Sequence, residues 1–370
     1  MVGHTYQVPA PLPKGRPGEV IAASELGHDP KVDGAQRWTL IYHSTDVRGR
    51  DIAVSGALFI PSGSPPAGGW PVVSWGHGTT GMADRCAPSE TANLSYNEYA
   101  QEAASFVRAG YAVVASDYPG LGTPGVATYL IGVDDGNAIV DAVIAARHLD
   151  PHLSTTWFAV GHSEGGQAVL FASRAAPSAP GLHLGATVSI APASYMEDIL
   201  PFVLSGNTSD LSSAVYSLIG LSTADPRVHP SDVLTPAGRR DLPLVLDTGC
   251  LDQTDQTFAS AGAHTILAIS GPEETKLSQE LGRYDDPDHA ATVGPVLIVQ
   301  GEADNEVLAP VTAHVVANLK ALGSDVTERT YPGLGHDGVV GPSICDQLHW
   351  LAIHGGRPDR GCRPYPTDLS

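Results

Sequence analysis

Apolar runs of four to eight residues recur along the chain and alternate with stretches whose apolar positions fall three or four apart. Period two predicts strands, and the wider spacing predicts helices. "RWTLIYHSTD" (37–46) and "DIAVSGALFIPSG" (51–63) predict two opening antiparallel strands. "WPVVSWGHG" (70–78) predicts the next strand, "YAQEAASFVRAG" (99–110) a helix ended by Gly110, and "YAVVASDYPGLG" (111–122) a buried strand running into a Gly-Pro loop. A helix over "NAIVDAVIAARHL" (137–149), a strand at Trp157–Val160, a helix to about Arg174 and the strand "GATVSIAPA" (185–193) follow. Continuous apolar strands separated by helices are the pattern of a mostly parallel sheet covered on both faces.

The alternation then breaks. From Ser194 to Ala291 the chain carries proline-punctuated, partly amphipathic segments such as "MEDILPFVLSG" and "SSAVYSLIGLS", and no strand is legible before "GPVLIVQGEAD". Roughly a hundred residues far exceeds the two to six of an ordinary connection. A mainly helical inserted cap over 194–291 is expected, dividing the core into residues 1–193 and 292–370. The sheet pattern resumes with Val296–Gln300, a helix in "APVTAHVVANLKALG", the strand "VTERTYPGLGH" and a last helix in "SICDQLHWLAIHGG".

Composition narrows the function classes. The chain has 370 residues, 42% of them apolar, and a net charge of −20. No basic run interrupts that charge, so phosphate backbones are repelled and nucleic acid is excluded as a partner. No apolar stretch is long enough to span a bilayer, and the N-terminus lacks the charged-then-apolar order of a signal peptide. The four cysteines, Cys86, Cys250, Cys345 and Cys362, form no C-x-x-C pair. Two disulfides therefore fit better than a metal site, and an exported, monomeric protein whose signal has been removed is expected.

The candidate chemistry begins at "WFAVGHSEGGQAVLF" (157–171). A serine hydroxyl is a weak nucleophile that needs a fixed, exposed position and a base. Gly161-His162-Ser163-Glu164-Gly165 matches G-x-S-x-G between a predicted strand and a predicted helix, the context of a nucleophile elbow. The helix beginning at Glu164 would aim free N–H groups at the reacting carbonyl. The orienting acid and the base should follow in the order Asp or Glu, then His, after later strands. "VLIVQGEADNEV" supplies Asp304, preferred to Glu302 because Glu302 lies closer to the strand, and "RTYPGLGHDG" supplies His336. His349 and His354 fall in a helical pattern, Asp337 adjoins His336, and His77 precedes the serine, so none is placed in the triad. The oxyanion needs two donors: the N–H of Glu164, and one from the "GHGTTG" loop, where Thr79, Thr80 and Gly81 are alternatives. No step requires a metal or a cofactor.

"SWGHGTTGMADRCAPS", "SDYPGLG", "GHSEGGQA", "QGEADNEV" and "YPGLGHDG" resemble, in order and over nearly the whole chain, segments of the secretory lipase family of α/β-hydrolases. The resemblance implies an α/β-hydrolase fold with a lid-bearing cap between the sixth and seventh predicted strands. It also implies hydrolysis of carboxylic esters without metal, a tendency to acyl transfer, and the pairings Cys86–Cys250 and Cys345–Cys362. One departure lies in the oxyanion loop, where an acidic side chain of the family gives way to "TTGM", with Asp84 farther on. The expected substrates are short- to medium-chain or lipid esters, with amide or peptide cleavage and acyl transfer as alternatives on the same triad. Ile199, Leu200, Phe202, Val203, Leu204, Tyr216, Leu218 and Ile219 would either line an acyl tunnel and meet a lipid interface or form the cap's own core.

Overall fold

The computed structural model describes residues 6–206, 210–358, 361–363 and 365. One nine-stranded sheet organises them, in the order β1-β2-β3-β5-β4-β6-β7-β8-β9. β1 (Val20–His28), β2 (Ala35–Thr45) and β3 (Asp51–Pro61) pair antiparallel, and β3 joins β5 (Ala112–Ser116) antiparallel. From β5 outward, β4 (Trp70–Gly76), β6 (Leu153–His162), β7 (His183–Ile190), β8 (Val296–Gly301) and β9 (Val326–Tyr331) are all parallel. β1 has no counterpart in the sequence reading. It is an edge strand with no fully buried residue, so its sequence "VIAASELGH" carries no clear alternation.

Parallel strands need both faces covered, and alternate side chains divide accordingly. Trp157 and Ala159 of β6 pack with Leu40, Val72 and Val114 on the face of α2 (Gly132–Leu149) and α3 (Glu164–Ala175). Phe158 and Val160 pack with Trp75 and Phe106 on the other face. There α1 (Asn97–Ala109) contributes Phe106 and the last helix, Val340–Ile353, contributes Leu348 and Leu351. α2 begins five residues before its expected start, because Asp134 and Asp135 fill its first turn in place of an apolar signal.

Between β7 and β8 the described chain is helical: α4 (Met196–Leu204), α5 (Leu211–Ala224), α6 (Pro230–Val233), α7 (Pro236–Pro243), α8 (Leu251–Phe258), α9 (Ala263–Ile266) and α10 (Pro272–Asp285). α11 (Ala309–Ala321) and α12 (Val340–Ile353) complete the core. The inserted helices have their own apolar cluster, with Leu200, Val203, Tyr216, Leu218 and Ile219 almost wholly buried in it. Of the side chains considered for an acyl tunnel, Ile199 alone reaches the cavity above β6, and Phe202 is 48% exposed.

Two disulfides close the structure. Cys86–Cys250 spans 164 residues and ties the loop after β4 to the inserted helices, and Cys345–Cys362 closes a separation of 17 beyond α12. On a loop-entropy argument the shorter one contributes about 3 kcal/mol.

Candidate active site

Ser163 stands between the end of β6 and the start of α3 with φ 57° and ψ −118°, a conformation that side chains seldom adopt. The bend brings backbones together too closely for side chains at its flanks. A Cβ on Gly161 would lie 2.3 Å from the Gly165 carbonyl oxygen, and one on Gly165 would lie 2.1 Å from that of Gly76. The glycines around the serine therefore permit contact between β4, β6 and α3. As the first residue of α3, Glu164 has an N–H without an intrahelical acceptor.

His336 follows β9 and points its ring at Ser163. Its Nε2 lies 2.8 Å from Ser163 Oγ, and its Nδ1 lies 2.8 Å from Asp304 Oδ2. The carboxylate can only accept, so Nδ1 carries the proton and Nε2 accepts from the serine hydroxyl. Asp304 Oδ1 accepts the N–H groups of Glu306 and Val307, both at 2.9 Å, and Gln300 Nε2 donates to Oδ2 at 3.1 Å. Burial opposes ionisation of Asp304, but the imidazole and the two backbone donors outweigh it and hold the carboxyl below its ordinary range. Burial likewise opposes protonation of His336, and Asp304, Glu306 and Asp337 together outweigh it and raise its pKa above 6.5.

The other acids and histidines occupy different environments. Glu302 is exposed and accepts from Thr330 Oγ1 at 2.8 Å. His77 is buried, stacks on Tyr118 and donates from Nδ1 to the Gly78 carbonyl, and burial lowers its pKa to about 4. Of the loop residues considered as oxyanion donors, Thr79 lines the cavity beside Ser163. The Thr80 carbonyl accepts from Leu251 N at 2.9 Å, and Gly81 pairs with Cys250. Those two residues join the loop to the inserted helices.

Three further side chains support this site and carry no signal in the sequence pattern. His162 Nε2 lies 3.2 Å from the His336 carbonyl oxygen, which only accepts, so Nε2 donates. Nδ1 must then accept from Tyr99 Oη at 2.9 Å, and that oxygen accepts the Gly78 N–H at 3.1 Å. Every direction in the chain Gly78, Tyr99, His162, His336 is thus fixed, linking the loop after β4 to the loop after β9. Glu164 is the third. Its carboxyl shares a hydrogen bond with the Thr79 side chain, and burial raises its pKa to about 8. Asp135 is also raised, by burial first and by the charge of Glu164 second.

The cavity above Ser163 has a volume of about 480 Å³. Tyr96, Tyr129, Met196, Ile199 and Val307 supply apolar walls, while Asp210, Asp252, Asp255, Glu306 and Asp337 form an acidic lining, with no arginine or lysine among the described residues there.

The description "Secretory lipase" belongs to the family whose profile matches residues 87–231, and the prolyl oligopeptidase family profile matches residues 248–352. Two structures of lipase A from Candida antarctica superpose on the chain. The closed state has 21% identity and a TM-score of 0.75, covering 95% of this chain and 86% of that one. The second has 20% identity and a TM-score of 0.77, covering 98% and 88%. A ligand-bound form of the rice cell wall degrading esterase LipA from Xanthomonas oryzae has 19% identity and a TM-score of 0.72, covering 94% and 100%. No curated protein matches the chain. At these identities the structural likeness speaks for the fold, and the family profile speaks for the chemistry. The chain has the α/β-hydrolase fold, matches the secretory lipase profile over residues 87–231, and by that match is a serine hydrolase of the carboxylesterase and lipase kind.

Proposed function

We propose that the protein hydrolyses carboxylic esters through Ser163, His336 and Asp304, and the unbroken hydrogen-bond chain among these three side chains is the observation that carries the reading. Ser163 Oγ attacks the ester carbonyl and passes its proton to His336 Nε2, while Asp304 holds Nδ1–H and balances the imidazolium. The carbonyl oxygen becomes an oxyanion beside the N–H groups of Glu164 and Thr79. His336 then protonates the departing alcohol, leaving an acyl-enzyme on Ser163. Water attacks that ester with His336 as base, releasing the acid and restoring the serine.

The inserted helices over 194–291 serve as the cap of this site, and the acidic lining suits neutral or cationic esters. It would also repel the carboxylate product. Neutral short- to medium-chain esters fit the cavity, and exposed Phe202 offers one apolar contact for a lipid surface. Two disulfides suit an extracellular enzyme. No described helix is long and apolar enough to cross a membrane. Amide cleavage is the second reading, favoured by the prolyl oligopeptidase match over the segment that holds Asp304 and His336.

The test is hydrolysis of p-nitrophenyl esters from acetate to palmitate and of the matching p-nitroanilides, by the protein and by Ser163→Ala. Ester turnover that falls roughly 10⁶-fold in the variant is expected. Turnover of anilides alone would favour the second reading, and activity retained by the variant would remove Ser163 from the mechanism.

A further inference from the structure

Away from the catalytic centre, Glu197 near the start of α4 and Asp285 and Asp286 at the end of α10 bring one carboxylate oxygen each within 4.8 Å of one another. Asp285 is 1% exposed and Asp286 4% exposed. The backbone secures one oxygen of each aspartate: Met196 N donates to Asp285 Oδ2 at 2.7 Å, and Tyr195 N donates to Asp286 Oδ1 at 3.0 Å. Asp285 Oδ1 and Glu197 Oε2 are buried without a hydrogen-bond donor. Glu197 reaches this position across Gly282, where a Cβ would come 2.7 Å from its carboxylate.

Three carboxylates in so small a volume repel one another when ionised, and the protein does little to offset that charge. Among the described residues, the ion pair made by this trio is between Asp286 and His289, at 3.4 Å and with the imidazole largely exposed. Arg283 lies along the same cavity but bonds Glu280.

An independent feature points to an occupant. Ser278 is 7% exposed, its Oγ has no partner, and it lines a cavity of about 460 Å³ together with Glu197 and Asp286. The Ser278 hydroxyl and the Glu197 and Asp286 carboxylates on one cavity, together with the unpaired Asp285 Oδ1, form a set of hard oxygen donors with no nitrogen or sulfur in the trio. Such a set suits calcium, which takes six to eight oxygens in irregular arrangements and completes its shell with water or a carbonyl. Magnesium demands a closer, near-octahedral set.

We propose that Glu197, Asp285 and Asp286 form a structural calcium site that ties the start of α4 to the end of α10. The consequence reaches the candidate active site, because Ala193, Ser194, Met196 and Ile199 line its cavity from the same stretch of chain. A cation here fixes one wall of the cavity and takes no part in the chemistry.

The test uses the full chain, stripped with a chelator and titrated with calcium by calorimetry, with Tm followed in parallel. One calcium per chain and a rise in Tm of a few degrees at saturation are expected, with a smaller response to magnesium. Glu197→Gln and Asp286→Asn should each lose the binding and the rise. In chelator, Glu197→Gln should melt at or above the unsubstituted protein, since it removes a repelling charge, and that comparison separates loss of a ligand from loss of the fold. No calcium binding by the unsubstituted protein would overturn the proposal. So would a calcium response that survives in folded Glu197→Gln, which would place the ion elsewhere. A Tm indifferent to calcium but rising as pH falls would also overturn it, by showing that shared protons neutralise the cluster.

Discussion

On the His336 side of Ser163, Asp304 accepts two backbone N–H groups, a glutamine amide and the imidazole, and is held ionised. At Glu164 and Asp135, by contrast, burial pushes both carboxyls above their ordinary range, Glu164 to about 8, and their mutual repulsion raises Asp135 further. Both environments are buried and acidic, so burial alone does not decide the charge. The donors do. Negative charge is retained where an imidazolium must form, and it is suppressed under Thr79, where an oxyanion would be opposed by it.

Breaking the ionised side should have the larger effect. Asp304→Asn presents an amide to His336 Nδ1, which favours the tautomer with its proton on Nε2 and leaves nothing there to accept from Ser163. On the triad reading kcat should fall about 10⁴-fold with little change in KM. The alkaline side of the profile offers a partial recovery if hydroxide can act as base. A loss below tenfold would mean that Asp304 does not set the tautomer.

An intermediate effect should follow from cutting the link between the two sides. Tyr99→Phe removes the acceptor of the Gly78 N–H and the donor to His162 Nδ1, leaving two buried polar groups unpaired. The loop after β4 and the His336 backbone would then lose their common support. A roughly tenfold fall in kcat is expected, equivalent to about 1.4 kcal/mol in the barrier, with KM changed less than about twofold. Because Nδ1 of His162 would then be free to take a proton, and His162 lies against His336 at 4.6 Å between ring centroids, the acid limb of the pH profile should also change. Unaltered kcat and acid limb would reduce Tyr99 to a packing residue.

What the sequence made legible follows from the same division. G-x-S-x-G is visible because the contacts of Gly161 and Gly165 with neighbouring backbone leave no room for another residue type. The segment holding Asp304 is visible because it follows a strongly apolar strand, and the one holding His336 because it is a glycine-rich loop after the next strand. Tyr99 and His162 are invisible as partners, since one sits within a helical pattern and the other fills the free position of the serine motif. Their hydrogen bonds depend on how β4, β6 and β9 meet in space. β1 escapes notice because an edge strand needs no alternation. Within the inserted helices, Glu197 and Asp285 are nearly ninety residues apart, and nothing local marks either as half of a cluster. The large apolar side chains there show that a core exists, but not which of them turns toward the catalytic cavity, and only Ile199 among those considered does so.

The smallest expected effect lies on the protonated side and is a change in pH profile. Glu164 has its pKa raised to about 8 from 4.5, so the folded protein holds a proton there that the unfolded chain releases near 4.5. Stability therefore falls as pH rises from about 4.5 toward 8, because across that window the folded state binds more protons than the unfolded one. Above about 8 the carboxylate forms under Thr79 and repels the oxyanion, at a cost of about 1 kcal/mol, roughly fivefold in rate. Glu164→Gln keeps the size and a hydrogen bond to Thr79 but cannot ionise, so it should match the unsubstituted protein near pH 7 and lose the alkaline fall. Profiles of kcat/KM from pH 6 to 10 would decide it. If both proteins fell together above pH 8, Glu164 would not be the group whose charge the oxyanion feels, whereas a flat profile for the glutamine variant alone would assign the suppression of charge beneath Thr79 to this side chain.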